Sequence, residues 1–285
     1  MLGSRQGFLC HSSMRRIFYY HYAKSHSVTT LLMIHGFAEA SFIWSKTAQE
    51  IAGKYNCDVI AIDLSGHGRS DWREDGCYNT ANYADDIEFV INELNISSFV
   101  LIGHSMGGRI ANELLKRKIS GMCGMVMVDF CPGMRGGASS SYVAKNFEKS
   151  VGRSWSMDEY ARFIRNTRPL IPGEDIKWLA NELLVKMNGS YFFHADSRIL
   201  NPGANHGAQE KPAAKACSIP VSIIRGCFSS FVSEQQAKDY LRDFTLSKYY
   251  NVAKSGHGLV IENNSGFNMA LYDFMQMIPG VQKLA

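Results

Sequence analysis

A chain of 285 residues, 46% hydrophobic and 20% charged, has an ordinary globular balance and the length for one large α/β domain or two small ones. Its net charge of +4 is too small and too dispersed to mark a nucleic-acid binder, and no apolar run approaches the length of a membrane span. Seven scattered cysteines with no C-x-x-C pair suit free thiols in a reducing compartment better than a disulfide framework, so the expected location is cytoplasmic. The first thirteen residues lack a continuous apolar stretch ahead of a cleavage site and do not read as a signal peptide.

Residues 6–12 and 15–23 read as two strands of an antiparallel hairpin at a sheet edge. Residues 30–34 are a buried strand. Residues 40–55 have helical spacing, with Trp44, Ala48 and Ile51 on one face. The strand at 59–63 runs into the turn Leu64-Ser65-Gly66-His67-Gly68-Arg69-Ser70, and a helix over 80–94 starts at Asn79 or Thr80. An apolar strand at 98–102 is followed by Gly103-His104-Ser105-Met106-Gly107-Gly108 and then by a helical pattern at 109–118. A serine between strand and helix sits on a sharp turn with its hydroxyl pushed out of the sheet, and small residues two before and two after let the backbone close up. Another apolar strand, 122–130, contains Asp129. Strands alternating with helices call for a parallel sheet covered on both faces.

The alternation stops between 133 and 215. Residues 134–138 read as a flexible exit, helical stretches follow near 140–150, 156–166 and 173–187, and then come Tyr191-Phe192-Phe193 and a Gly/Pro/Asn-rich loop at 201–207. The sheet resumes at 220–225 and near 248–252, and a last helix covers 266–277. The expected organisation is a core of residues 1–132 and 216–285 with 133–215 inserted over it as a helical cap.

Four motifs in order make the chain resemble the α/β-hydrolase family: His35-Gly36-Phe37 after a strand, the Asp63-to-Ser70 turn, the Gly103-to-Gly108 run, and the late Gly256-His257-Gly258. The resemblance covers all but the variable middle. It implies a mostly parallel, doubly wound sheet with a helical cap, and no cofactor. The glycine-rich runs also lack dinucleotide-binding spacing, and no histidine and carboxylate cluster has metal-ligand spacing. A serine hydroxyl needs a base and the base an orienting acid. Among nine histidines, His257 stands where the family places its base. The family's usual acid position holds Phe228 instead, and the next carboxylate, Glu234, reads as the first turn of a helix. Some relatives carry the acid one strand earlier, which here is Asp129. Backbone N–H groups of Phe37 and Met106 are the implied oxyanion donors. His35, His104, Trp178, Phe192 and Phe228 are expected around the substrate, and His194 and His206 near it.

The implied chemistry is hydrolysis of a carboxylic ester, lactone or thioester of a small to medium apolar substrate through an acyl-enzyme. No nucleic-acid or membrane partner is expected. Alternatives on the same framework are a cofactor-free dioxygenase, a C–C bond hydrolase or lyase, and a ligand-binding protein that keeps the pocket without catalysis.

Overall fold

Runs of apolar residues without polar alternation make strands buried on both faces. In the computed structural model, which describes residues 5–11, 15–23, 27–133, 137–200 and 218–284, such runs form the centre of an eight-stranded sheet. The strands are β1 (Arg5–Cys10), β2 (Arg16–Tyr22), β3 (Thr30–Ile34), β4 (Asp58–Ile62), β5 (Phe99–His104), β6 (Met122–Val128), β10 (Val221–Gly226) and β11 (Ser247–Val252). Their order is β1-β2-β4-β3-β5-β6-β10-β11. β1 and β2 form an antiparallel hairpin, β2 pairs antiparallel with β4, and the remaining pairings of this sheet are parallel.

The two-residue period of a strand sends alternate side chains to opposite core layers. Leu31, Met33, Val100 and Ile102 pack with Trp44, Ile51, Phe267 and Phe274 on one face. Leu32, Ile34, Leu101 and Met125 pack with Tyr83, Ile87, Ile110 and Leu114 on the other. Helices α1 (Ser45–Lys54) and α9 (Asn264–Met275) cover the first layer. Helices α2 (Thr80–Glu93), α3 (Met106–Arg117) and α7 (Glu234–Leu241) cover the second. The Asn79 side chain caps α2 by accepting from the Asn82 amide. The helix read over 266–277 is α9, which begins two residues earlier, ends at Met275 and is preceded by a short α8 (Leu259–Glu262).

Between β6 and β10 the chain leaves the sheet. It forms α4 (Gly137–Ser150), β7 (Ser154–Trp155), α5 (Met157–Thr167), α6 (Asp175–Leu183), β8 (Leu184–Met187) and β9 (Ser190–Phe193). The insertion is therefore not wholly helical: β7, β9 and β8 make a small antiparallel sheet, and the helix expected through 187 stops at Leu183. The cause is Asn188-Gly189, both at positive φ (48° and 81°), the pair a tight two-residue hairpin demands. The insertion's exit is pinned to the core. The Asp196 amide donates to Gly66 O at 2.9 Å, and the Tyr78 hydroxyl donates to the Asp196 carboxylate at 2.6 Å. The loop expected at 201–207, with His206, lies outside the described residues; of the exit expected at 134–138, residues 134–136 also lie outside them, and 137–138 form the start of α4 instead. Among the described residues no helix is long and apolar enough to cross a membrane.

Because β3, β4, β5, β6, β10 and β11 run parallel, their carboxyl ends share one edge. In open α/β sheets that edge is where ligands bind.

Candidate active site

Ser105 occupies the turn from β5 to α3 with φ 52° and ψ −111°, a conformation that strains any residue with a Cβ. The flanking glycines let it form. A Cβ on Gly103 would lie 2.2 Å from the Gly107 carbonyl oxygen, and one on Gly107 would lie 2.3 Å from the Ile34 carbonyl oxygen. The turn is held by the Ser105 amide donating to Val128 O (2.9 Å) and by the Arg109 amide donating to Ser105 O (3.2 Å). The Ser105 hydroxyl does not cap α3. Its Oγ lies 2.9 Å from His257 Nε2.

His257 sits between β11 and α8, with its side chain one quarter exposed. Its Nδ1 is 2.7 Å from Asp129 Oδ2. Phe231 stacks on the ring face at 3.9 Å between centroids. Asp129 follows β6, at φ 47°, and is fully buried. Its amide donates to Ile224 O (2.8 Å), while Oδ1 accepts from the Gly226 amide (3.1 Å) and Oδ2 from the Ser229 hydroxyl (2.5 Å). These donors, with the His257 ring, satisfy both carboxylate oxygens in place of water. Beside it, His257 Nδ1 is the protonated nitrogen and Nε2 presents its lone pair to the Ser105 hydroxyl.

Ser105, His257 and Asp129 are thus brought together in one line. Glu234 is not part of it: it stands half-exposed on α7, 2.6 Å from Lys238. Phe228 also turns away, 64% exposed, and the residues of its loop that reach the site are Ser229 and Phe231.

His35 is buried behind the site rather than exposed to it. Burial lowers its proton affinity to about 4, so it is neutral at pH 7. Its Nδ1–H donates to Gly36 O (2.7 Å) and its Nε2 accepts from the Leu64 amide (3.0 Å). Peptide bonds among the described residues are trans, so the carbonyl and the N–H of each unit point oppositely. Drawing Gly36 O toward His35 therefore turns the Phe37 N–H away from it. In the same way, the Arg109 amide holds Ser105 O along the helix and leaves the Met106 N–H directed out of the α3 terminus.

These groups open into a cavity of about 610 Å³. The core contributes Phe37, His104, Met106, Phe231 and Ile261 to its wall, and the insertion contributes Phe147, Tyr160, Phe163, Leu170 and Phe193. Arg109, Arg168, Glu39 and Glu262 are the charged residues of the lining. Of the residues expected around the substrate only His104 lines it. Trp178 packs edge-on against Phe42 under Lys46. Strand alternation on β9 gives the cavity Phe193, not Phe192. His194, half-buried, is not in the lining either. The alternation of the aromatic triplet was the available signal for Phe193, and nothing local in the sequence marks Phe231 or Glu39.

A hydroxyl on a strained strand-to-helix turn, in line with an imidazole and a buried carboxylate at the carboxyl edge of a parallel sheet, defines an α/β hydrolase. The chain belongs to that family, whose model, described as the alpha/beta hydrolase fold, matches residues 29–264. It is similar to the esterase Rv0045c of Mycobacterium tuberculosis, 24% identical over 82% of this chain and 78% of that one. It is also similar to a 2-(acetamidomethylene)succinate hydrolase of Mesorhizobium japonicum, 27% identical over 71% and 72% of the two chains. Among solved structures, an E-2-(acetamidomethylene)succinate hydrolase superposes with a TM-score of 0.83 at 20% identity, over 96% of this chain and all of that one.

Proposed function

We propose that this α/β hydrolase is a serine esterase in the broad sense, cleaving a carboxylic ester, lactone or thioester of a small to medium, mainly apolar substrate. The observation that carries the reading is the line Ser105 Oγ–His257 Nε2–His257 Nδ1–Asp129 Oδ2, with steps of 2.9 and 2.7 Å. Ser105 Oγ attacks the carbonyl carbon while its proton passes to His257 Nε2. The carbonyl oxygen, now negative, faces the N–H groups of Phe37 and Met106, and the α3 terminus adds positive potential there. Asp129 stabilises the imidazolium. Collapse expels the alkoxide or thiolate, which takes the proton from His257, and water repeats the sequence to free the acid.

A cavity of about 610 Å³ walled by aromatic and aliphatic side chains suits an acyl group of moderate size. Relatives named as an esterase and as a 2-(acetamidomethylene)succinate hydrolase support hydrolysis as the reaction class.

The test is labelling with a fluorophosphonate followed by peptide mapping, beside turnover of p-nitrophenyl esters, lactones and acyl thioesters. Ser105 should carry the label, and Ser105→Ala should lose at least ~10³-fold in kcat while keeping its Tm. A Ser105→Ala variant with near-normal turnover removes the serine from the chemistry and overturns the reading.

A further inference from the structure

Behind the catalytic line lies a second histidine and carboxylate that the reaction above leaves unused. His104, the residue before Ser105, is buried, and so is Glu39, three residues after Gly36. His104 Nδ1 is 2.9 Å from Glu39 Oε2, and His104 Nε2 is 2.8 Å from the backbone carbonyl oxygen of His257. The same Glu39 oxygen accepts from the Gly36 amide at 3.1 Å.

We propose that His104 and Glu39 are positioning residues: a buried imidazolium–carboxylate pair that holds the His257 loop from behind, through the His257 carbonyl, and fixes the charge that the His257 ring faces. The proposal rests on the hydrolase reading above, in which His257 is the base.

The argument is one of donors and acceptors. A backbone carbonyl can only accept, so His104 Nε2 carries a proton. The Gly36 N–H on Oε2 and the Arg168 guanidinium beside Oε1 both favour an ionised Glu39, and against a carboxylate His104 Nδ1 carries a second proton. The other way out, a neutral Glu39 with its proton on Oε1, would set that proton toward the Arg168 guanidinium, 3.6 Å away, which favours the ionised form instead. Two protonated nitrogens make the ring an imidazolium.

The surrounding charges agree. Burial alone would lower the proton affinity of His104, but the Glu39 carboxylate, the His257 carbonyl and Asp129 together raise it above the ordinary histidine value. Burial alone would raise Glu39, but His104, with Arg168 beyond it, holds its carboxyl far below the usual range. His35, the remaining histidine facing the pair, is neutral. Glu262, at the far side of the His257 loop, is raised by its own burial and accepts the Gly256 amide at 2.6 Å. A buried pair of this kind holds its geometry firmly, because losing either member strands the other's charge.

Two consequences follow for His257. Its backbone is fixed by a charged donor, so the ring swings little from the line between Ser105 and Asp129. Its ring centroid lies 4.9 Å from that of His104, and a positive charge there opposes protonation of the base.

The experiment pairs Glu39→Gln and His104→Gln with ring-nitrogen NMR on the wild-type protein. In wild type, both His104 nitrogens should carry protons from pH 6 to pH 8. In each variant kcat should fall on the order of ten- to a hundredfold with KM little changed. The acid limb of kcat/KM should move to higher pH by about half a unit or more, because the opposing charge is gone. A wild-type His104 with one bare nitrogen at pH 7 overturns the proposal. So do variants that fold and lose Tm while the acid limb stays in place. If the variants do not fold, the proton count in wild type still decides. If the wild type turns over no ester and Ser105 takes no label, the hydrolase reading fails separately from the protonation state of His104.

Discussion

Replacing Asp129 with Asn keeps the shape of the side chain and reverses one hydrogen bond. Asp129 Oδ1 receives the Gly226 N–H, a group that can only donate. The Asn oxygen must therefore take that place, and its NH₂ group falls where Oδ2 was, 2.7 Å from His257 Nδ1. The Ser229 hydroxyl, 2.5 Å from the same point, can rotate to accept from the amide and leaves that orientation unopposed. His257 Nδ1 then becomes an acceptor, its proton moves to Nε2, and Nε2 offers a donor to Ser105 where a lone pair is needed. Asp129→Asn should lose about 10²- to 10⁴-fold in kcat, equivalent to about 3–5 kcal/mol of barrier, with KM nearly unchanged. The assay is p-nitrophenyl ester hydrolysis from pH 6 to pH 9, with Tm as the control for folding. A variant that retains kcat within tenfold of wild type refutes the assignment of Asp129 as the orienting acid.

The loop beside Asp129 gives a second outcome: in the Asp129→Asn background, Ser229→Asp should recover part of the lost kcat, since Ser229 Oγ is at hydrogen-bond distance from the acid's place, whereas Phe228→Asp, at an exposed position, should recover none. Phe193→Ala should change acyl chain-length preference in a panel of p-nitrophenyl esters, and Phe192→Ala should leave that preference where it was, because only Phe193 lines the cavity. Folding stability should fall as the pH drops below 6.5: burial lowers His35 to about 4 and His67 to about 3, so the unfolded chain takes up protons there that the native one refuses. His35 alone accounts for on the order of 3 kcal/mol by pH 4. Urea unfolding against pH measures it, and a flat profile between pH 7 and pH 4.5 contradicts it.

The central sheet was legible because its strands are apolar on both faces and its turns carry glycine at fixed places. The Gly103-to-Gly108 pattern pointed to Ser105, whereas His257 and Asp129 were singled out by the resemblance to the family, and a parallel sheet gathers such strand ends at one edge. The insertion was less legible. A helical period carried past Leu183 hid the Asn188-Gly189 hairpin, although that dipeptide between apolar runs is itself a strand-turn-strand signal. The pocket residues were hardest. Trp178 looked like a wall because it is large and lies in the insertion, yet it packs on Phe42. Phe231 and Glu39 owe their positions to contacts across 26 and 65 residues of chain, with His257 and His104, that no local periodicity encodes.

Asp129 belongs to the end of one strand and is gripped by the next: its amide bonds to Ile224, its side chain to Gly226 and Ser229. The negative charge is thus delivered to a seam, and the seam stays put whichever of two neighbouring segments supplies it. On the proposed mechanism, an acid carried by the Ser229 loop would reach the same place while the histidine and serine stand still. A search pattern that demands a carboxylate in the segment after β10 would pass over this chain, whereas a pattern built on the nucleophile turn and the late histidine would find it.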